Sequence, residues 1–237
     1  MVCVQENMAA RKDNTIAVMP SYNESRTIGA IVRDIANLGV SVLVIDDGSS
    51  DSTERIALDA GAMVMRNRKN FGKGFSVREG IKYVLKKTNF EWMIIMDADG
   101  QHPAEDIPVL MEATRSGDRE PDIVIGNRMH NTRAMPPLRY LTNRFMSWVL
   151  SGICGQYIPD TQCGFRIIKV RALERLRLTS KKYDIDSEML MDAAARNMII
   201  RSVPVQTIYG EETSRIKPVR DTVKFLSLII KHRFNKG

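Results

Sequence analysis

Short apolar runs alternate with amphipathic segments along the first half of the chain. The runs are rich in Val, Ile and Met, which is typical of strands buried on both faces of a parallel sheet. The predicted strands are residues 15–19, 41–45, 62–65, 92–96 and 123–125. The helices predicted between them are residues 26–37, 52–60, 75–87 and 105–116. This alternation predicts an α/β fold with a mostly parallel central sheet flanked by helices on both faces.

The second half has a mixed pattern. Pro136 and Pro137 favour the start of a long helix over residues 138–153. Pro204 places a predicted strand at a sheet edge. The remaining predicted elements are a strand at 164–169, a helix at 186–197, the edge strand at 199–205 and a helix at 218–234. We therefore expect an N-terminal extension (1–14), a single α/β domain (15–217) and a basic amphipathic C-terminal helix (218–237).

Composition narrows the class of protein. The chain has 237 residues, 43% hydrophobic and 27% charged, which fits one globular domain and excludes a disordered or collagen-like chain. The first 12 residues lack the apolar stretch of a secretory signal, and we find no apolar run long enough to span a membrane. Three cysteines are an odd number and favour a reducing compartment. A net charge of +7 suggests an anionic partner: nucleic acid, a phosphorylated substrate or a membrane surface.

Acidic residues follow the predicted strands, where ligands bind in open α/β sheets. Asp97 and Asp99 follow a buried strand at i and i+2, poorly placed to cap the next helix, and Gln101 continues the alternation. Hard oxygen donors of this kind suit Mg²⁺ or Mn²⁺. No GxGxxG dinucleotide motif and no P-loop is present. The segment 70–75 contains Gly72-Lys73-Gly74, which either approaches a diphosphate or forms a turn into a helix.

Three motifs in order carry a family resemblance: PSYNE at 20–24, IDDGS at 45–49 and DADGQHP at 97–103. With them, residues 15–217 resemble a family 2 glycosyltransferase of GT-A fold, within it the dolichyl- or polyprenyl-phosphate mannosyltransferases. The resemblance implies an inverting, metal-dependent enzyme that moves a hexose, with mannose from GDP-mannose expected, to a polyprenyl or dolichyl phosphate. Several family members carry C-terminal membrane spans, and this chain departs from them by ending after one basic helix.

The resemblance also implies roles for individual residues. The donor-binding set is Pro20, Tyr22, Glu24, Ile45, Asp47, Asp97, Ala98 and Asp99. The metal set is Asp97, Asp99 and Gln101, holding Mg²⁺ or Mn²⁺. The acceptor-phosphate set is Arg128, Arg139, Arg215 and Lys217. The expected catalytic residues are Asp99, Arg128 and Asp160; Asp160 would position the donor sugar or act as a base, and a turn or cap is equally open.

The acceptor decides whether a general base is needed. A lipid phosphate is already an anionic nucleophile and needs only a cationic cradle, whereas a hydroxyl acceptor needs a base. The helix at 218–234 combines an apolar and a basic face, which suits either peripheral attachment to the cytoplasmic membrane face or packing on the domain. A separate membrane-anchoring subunit is possible whether this helix attaches to the membrane or packs on the domain. Asp186 and Glu188 are predicted to cap and strengthen the helix that they begin, with sugar contact as the alternative.

Three other functions compete with the lipid-phosphate hypothesis. The first is the same fold transferring a sugar from a UDP-sugar to a soluble or polysaccharide hydroxyl. A sugar-phosphate nucleotidyltransferase would need a Gly-rich basic loop after the first strand, and residues 20–25 are not one. A non-enzymatic nucleic-acid-binding module would exploit the charge, but aromatic residues are only 6% and no RNA-binding motif stands out. We therefore expect no nucleic-acid partner.

Overall fold

The computed structural model describes residues 14–133, 135–182 and 184–208, and these residues form a sheet of seven strands. The spatial order of the strands is β3-β2-β1-β4-β6-β5-β7. Their bounds are β1 Thr15–Ser21, β2 Ser41–Asp46, β3 Met63–Arg66, β4 Trp92–Ile95, β5 Ile123–Asn127, β6 Arg166–Lys169 and β7 Ile200–Pro204. β7 lies at an edge of the sheet, as Pro204 predicted.

One strand runs against the others. β1 pairs in parallel with β2 and β4, β2 with β3, and β5 with β7, whereas β6 is antiparallel to both of its neighbours, β4 and β5. The carboxyl ends of β1, β2, β4 and β5 therefore lie at one edge of the sheet. Because β6 runs the opposite way, the segment that precedes it reaches this same edge. That reversal brings residues 160–165 to the ends of β4 and β5.

Helices cover both faces of the sheet. Alternate residues of β1 divide between the two sides: Ala17 and Met19 belong to one buried cluster, Ile16 and Val18 to the other. The first cluster includes residues of α1, α2, α4 and α5, and the second includes residues of α3 and α6, while α7 contributes to both. The helices are α1 Ile28–Asn37, α2 Thr53–Asp59, α3 Lys73–Lys87, α4 Ile107–Arg115, α5 Pro137–Cys154, α6 Val170–Leu173 and α7 Ile185–Ala195.

The predicted α/β class, the mostly parallel sheet and the single domain are confirmed. Element boundaries differ by a few residues; the change that matters is at α3, which begins at Lys73 and not at Phe75, so Lys73 lies in its first turn. Residues 1–13 and 209–237 lie outside the described residues, and with them Arg215, Lys217 and the predicted helix at 218–234. Among the described helices, none has both the length and the apolar character needed to cross a bilayer.

Candidate active site

The candidate site lies at the edge of the sheet where β1, β2, β4 and β5 end, which we call the site edge. It is built from the loops that follow these parallel strands. Asp97 and Asp99 follow β4, Arg128 follows β5, and Asp46 and Asp47 lie at the end of β2. Parallel pairing brings these loops side by side, because their strands end at the same edge of the sheet. The charged residues at the end of β2, after β4 and after β5 come from widely separated parts of the sequence, and the fold brings them to one edge of the sheet.

Lys73 lies at the centre of an ion-pair chain. Its Nζ atom is 2.7 Å from Oδ1 of Asp97 and 3.0 Å from Oδ2 of Asp186. On its other side, Asp186 receives the NH2 group of the fully buried Arg166 at 3.3 Å. Asp97 remains the solvent-facing member, with 30% of its side chain exposed against 10% for Lys73. The chain of alternating charges thus ends in a carboxylate that a ligand can reach.

The ion pairs determine the charge states in this chain. Burial on its own would lower the pKa of Lys73, but Asp186 and Asp97 outweigh it and raise that pKa above the usual value. Burial would likewise raise the pKa of Asp97, and the Lys73 ammonium outweighs it, so the pKa is lowered. Lys73 is therefore an ammonium and Asp97 a carboxylate throughout the physiological pH range.

Gly164 leaves room for this pair. A Cβ atom at Gly164 would lie 2.6 Å from Oδ2 of Asp97 and 2.9 Å from Nζ of Lys73. Real Cβ atoms do not approach polar atoms so closely, so any side chain here would displace one partner. Glycine at position 164, in the turn before β6, is therefore required for Asp97 and Lys73 to keep this arrangement.

Asp47 braces the loop that leads into α3. Its carboxylate accepts hydrogen bonds from the backbone N–H of Gly72 at 2.7 Å, from that of Phe71 at 3.1 Å and from Nδ2 of Asn67 at 2.7 Å. Gly72 has a φ of 99°, and a Cβ atom there would lie 2.5 Å from the carbonyl oxygen of Lys181, so glycine is required. Asp47 therefore positions the start of α3, and with it Lys73.

Arg128 is held by a buried carboxylate. Its Nε and NH2 groups donate to Oδ2 and Oδ1 of Asp160 at 2.7 and 2.9 Å, and its backbone N–H donates to Oδ2 at 3.0 Å. Asp160 is fully buried and Arg128 is 4% exposed. Burial alone would raise the pKa of Asp160, but the charge and hydrogen bonds of Arg128 lower it. This bidentate pair gives the arginine one orientation.

The loop after β4 is ordered by local and distant contacts. Oδ1 of Asp99 accepts from the backbone N–H of Gln101 at 3.0 Å. Oε1 of Gln101 lies 3.5 Å from NH2 of Arg139, in the first turn of α5. The carbonyl of Ala98 accepts from the hydroxyl of Thr27 at 2.6 Å. Arg139 is thereby placed beside the predicted metal set.

The other predicted donor residues lie near the ends of the neighbouring strands or in the loops that follow them. Pro20 and Ile45 are register partners near the ends of β1 and β2. Tyr22 is half-buried in the loop after β1, and the backbone N–H of Glu24 in that loop donates to the hydroxyl of Thr53 at 2.8 Å. All of them adjoin the loops that carry Asp47 and Ala98. Their contacts with a donor stay predictions.

His102 is a buried group beside the charged residues. It is 4% exposed, its ring packs on Phe165 at 5.2 Å between centroids, and its Nδ1 has no hydrogen-bond partner among the described residues. Burial and then the positive charge of Arg128 lower its pKa to about 4. The imidazole is therefore neutral at physiological pH.

Sequence reasoning missed three members of the site. Lys73 had a signal in the Gly72-Lys73-Gly74 segment, but its helical start was not predicted. Arg166 looked like an ordinary strand residue and is buried at the site edge. Asp186 was predicted as a helix cap, which is wrong, because Asp184 precedes the first residue of α7 and Asp186 lies inside the helix, where it pairs with Lys73 and Arg166. Glu188 lies in the first turn of α7, as predicted, and accepts hydrogen bonds from the backbone N–H groups of Thr179 and Ser180.

The residues present suit a divalent ion that shares its ligands with a substrate. Asp97 and Asp99 supply hard carboxylate oxygens, and Gln101 an amide oxygen. Within residues 14–133, 135–182 and 184–208 no group of three or more His, Cys, Asp or Glu side chains could hold a metal ion. Mg²⁺ is commonly bound by one or two carboxylates and completed by substrate phosphates, which this donor set matches.

The sequence model for Glycosyl transferase family 2 matches residues 16–177, which include Asp47, Asp97, Arg128 and Asp160. The chain belongs to this family. It is a glycosyltransferase, and the resemblance inferred from the three motifs is confirmed.

Relatives of this glycosyltransferase differ in their sugars. It is 27% identical to the UDP-N-acetylglucosamine–dolichyl-phosphate N-acetylglucosaminyltransferase of Methanococcus voltae, over 82% of this chain and 85% of that protein. It is 26% identical to the polyprenol monophosphomannose synthase of Mycolicibacterium smegmatis, over 81% of this chain and 76% of that protein. The first name specifies N-acetylglucosamine and the second specifies mannose. Both names include a long-chain isoprenoid, dolichyl phosphate in the first and polyprenol in the second.

The fold of the glycosyltransferase matches solved structures. The glucosyl-3-phosphoglycerate synthase of Mycobacterium tuberculosis, in a complex described with Mn²⁺, UDP-glucose and phosphoglyceric acid, superposes with a TM-score of 0.71. The sequence identity is 19%, and the match covers 91% of this chain and 79% of the other. At this identity the likeness establishes the GT-A-like fold alone.

Proposed function

We propose that this enzyme transfers a hexose from a nucleotide sugar to a polyprenyl or dolichyl phosphate with inversion at the anomeric carbon. The observation that carries the proposal is the meeting of three cations, Lys73, Arg128 and Arg139, with the loop that holds Asp97 and Asp99. A site that must bring an anionic acceptor against a diphosphate needs fixed cations of this kind. The names of the relatives support the same acceptor class.

The transfer needs no general base under this proposal. A phosphate oxygen of the acceptor forms the new bond to the anomeric carbon as the bond to the donor diphosphate breaks, and the electron pair leaves with the nucleoside diphosphate. Arg128 and Arg139 bind acceptor phosphate oxygens, and the Lys73 ammonium opposes charge that grows on the leaving group. Asp160 acts through Arg128, which it orients from a fully buried position.

The carboxylates serve the donor. Asp97 and Asp99 with Gln101 would hold Mg²⁺ or Mn²⁺, which when bound supplies a Lewis acid for the diphosphate. Asp47 positions the start of α3, while Pro20, Tyr22, Glu24, Ile45 and Ala98 line the loops expected to take the nucleotide. The ion pair between Lys73 and Asp97 keeps the ammonium at the edge where the diphosphate would lie.

The sugar and the base of the donor are decided by the same loops. GDP-mannose is the donor that the family resemblance implies, and UDP-sugars are the alternatives because one relative is named for a UDP-sugar and one structural neighbour is described in complex with one. Arg215 and Lys217 are proposed to extend the phosphate cradle from outside the described residues. The chain would then act at the cytoplasmic membrane face, where its acceptor lies.

A hydroxyl acceptor is the second candidate, and it needs a base. Asp160 is the carboxylate that the sequence offers for that role. Both of its oxygens accept hydrogen bonds from Arg128 and its pKa is lowered, so its carboxylate is a weak base. These contacts favour the lipid phosphate.

A donor and acceptor panel tests the proposal. GDP-mannose, UDP-glucose and UDP-N-acetylglucosamine are each incubated with a short-chain polyprenyl phosphate, the matching free polyprenol and a simple sugar, and products are identified by mass spectrometry. We expect one donor to yield a glycosyl phosphopolyprenol, and Arg139→Ala to raise KM for the phosphate more than for the donor. Arg55→Ala, an exposed arginine on α2, is the matched control. Equal transfer to free polyprenol or the simple sugar would overturn the lipid-phosphate assignment.

A further inference from the structure

Helix α5 has an apolar face that no described residue covers. Leu138, Leu141, Phe145 and Trp148 are 60%, 63%, 43% and 73% exposed. Their spacing of three, four and three residues places them on one side of the helix. We call these four residues the outer stripe of α5.

The outer stripe lies opposite the face that holds α5 to the protein. The buried residues of the helix are Asn143, Met146, Ser147, Leu150 and Cys154. They account for the packing of α5 against α7 and the segment before β6, so the stripe is not needed for the core. Phe145 and Trp148 also contact each other, with ring centroids 6.4 Å apart. Contiguous exposed apolar surface with two aromatic rings indicates a surface that meets something apolar.

The charge around the stripe indicates what it meets. Between Asp122 and Asp160 the chain has no acidic residue and four arginines, at 128, 133, 139 and 144. Arg133 and Arg144 are exposed beside or along α5. Tyr157, just beyond the helix, is 85% exposed. Apolar and aromatic side chains on a helix whose only charged residues are arginines match the interface of a bilayer that carries anionic lipids.

The stripe also begins at the candidate site. Leu138 is next to Arg139, which reaches Gln101 of the predicted metal set at 3.5 Å. A membrane surface along α5 would therefore place lipid headgroups at the opening where Arg139 and Arg128 are expected to take the acceptor phosphate. This relation rests on the proposed function; binding to a bilayer itself does not.

We propose that α5 is a membrane-docking helix. It lies in the plane of the bilayer interface, with the outer stripe among the acyl chains, roughly 5–10 Å below the headgroups. Arg133 and Arg144 bind lipid phosphates beside it. The surface is separate from the predicted tail at 218–234, so the membrane contact includes the catalytic domain itself.

Tryptophan fluorescence reports directly on this surface. The chain has two tryptophans, Trp148 in the stripe and Trp92, which is 8% exposed in β4. The full chain carrying Trp92→Phe is mixed with vesicles of phosphatidylcholine, alone or with phosphatidylglycerol, made with brominated acyl chains. We expect a blue shift and quenching of Trp148 with the anionic vesicles. Trp148→Phe gives the Trp92 background. If Trp92→Phe fails to fold, subtracting this background from the wild-type emission isolates the Trp148 signal.

Matched substitutions separate the stripe from other exposed apolar residues. Leu141→Gln should weaken binding to the anionic vesicles by about tenfold, the effect of withdrawing one leucine from an apolar phase. Leu58→Gln, at a 51% exposed leucine on α2, should leave it unchanged. Arg144→Glu should weaken binding to anionic vesicles, whereas Arg55→Glu on α2 should have a smaller effect.

The outcomes are distinct. Unquenched Trp148 emission with vesicle-bound protein, or equal effects of Leu141→Gln and Leu58→Gln, would overturn the proposal. A Trp148 shift that depends on protein concentration without vesicles would assign the stripe to a second copy of the chain. Quenched Trp148 with no transfer to any polyprenyl phosphate would leave the docking surface standing and remove the proposed function. Transfer to a short-chain polyprenyl phosphate with unquenched Trp148 would do the reverse.

Discussion

The two halves of the site edge hold their charges by different means. The carboxylates after β2 are held by nearby backbone: Asp46 accepts from the N–H of Ser49, and Asp47 from those of Phe71 and Gly72. The arginines of the second half are held by carboxylates: Arg128 by the fully buried Asp160, and Arg166 by the half-buried Asp186. Backbone hydrogen bonds hold the carboxylates at the end of β2, whereas Arg128 and Arg166 depend on ion pairs whose loss also affects the fold.

The largest expected effect on stability comes from breaking the buried ion pair between Arg128 and Asp160. Asp160→Asn keeps the shape of the side chain and leaves the buried Arg128 guanidinium without its countercharge. We expect the free energy of unfolding to fall by about 3–5 kcal/mol, the usual result of removing one member of a buried pair. Urea denaturation of wild type and of Asp118→Asn, an exposed aspartate, provides the measurement and its control. A loss below about 1 kcal/mol would mean that Arg128 finds another partner.

In the loop after β4, a substitution should lower turnover strongly and stability only slightly. Asp97→Asn is expected to lower turnover by about 10²–10³-fold, since it removes charge where the donor diphosphate is proposed to bind. Stability should change by only about 1 kcal/mol, because 30% of this side chain is exposed and solvent screens its pair. Steady-state kinetics and urea denaturation on the same variant separate the two effects. Retained turnover would exclude Asp97 from the reaction, whatever the stability.

His102, buried beside Phe165, makes stability depend on pH. Its pKa is lowered from 6.5 to about 4, so between these values the unfolded chain binds a proton that the folded chain does not. Its contribution to stability is complete above pH 6.5 and is lost as the pH falls towards 4, by up to about 3 kcal/mol.

His102→Phe should flatten this part of the stability profile, because phenylalanine packs on Phe165 without titrating. Urea denaturation at several pH values gives the profile, and NMR titration of the imidazole gives the pKa directly. The same slope in both proteins would place the titrating group elsewhere.

The smallest effect concerns the turn before β6. Gly164→Ala places a methyl group 2.6 Å from Oδ2 of Asp97 and should lower turnover roughly tenfold by shifting the pair with Lys73. Gly152→Ala in α5 meets nothing within 4 Å and is the matched control. Equal turnover of the two variants would show that the position of Lys73 relative to Asp97 is unimportant for the reaction.

The periodicity of apolar residues and the order of the motifs were sufficient to predict the architecture of the domain. Apolar runs buried on both faces appear as uninterrupted Val, Ile and Met, so β1, β2 and β4 and the helices between them could be predicted to within a few residues. Asp97 and Asp99 were recognisable for the same reason, since strand ends bear ligands and the two carboxylates are adjacent in sequence. The family followed from three local motifs at their spacing.

Tertiary structure alone decided which distant charges meet. Arg128 and Asp160 are 32 residues apart, and Lys73 and Asp186 are 113 apart, so no local pattern links them. Asp186 looked like a helix cap because a cap and a buried ion-pair partner have the same residue type and the same place at a helix start. The reversal of β6 brings Asp160 and Gly164 to the site edge, and it depends on strand pairing, which a sequence pattern does not encode. The sequence determined where charges could be placed; packing determined which of them neutralise one another and which remain for a substrate.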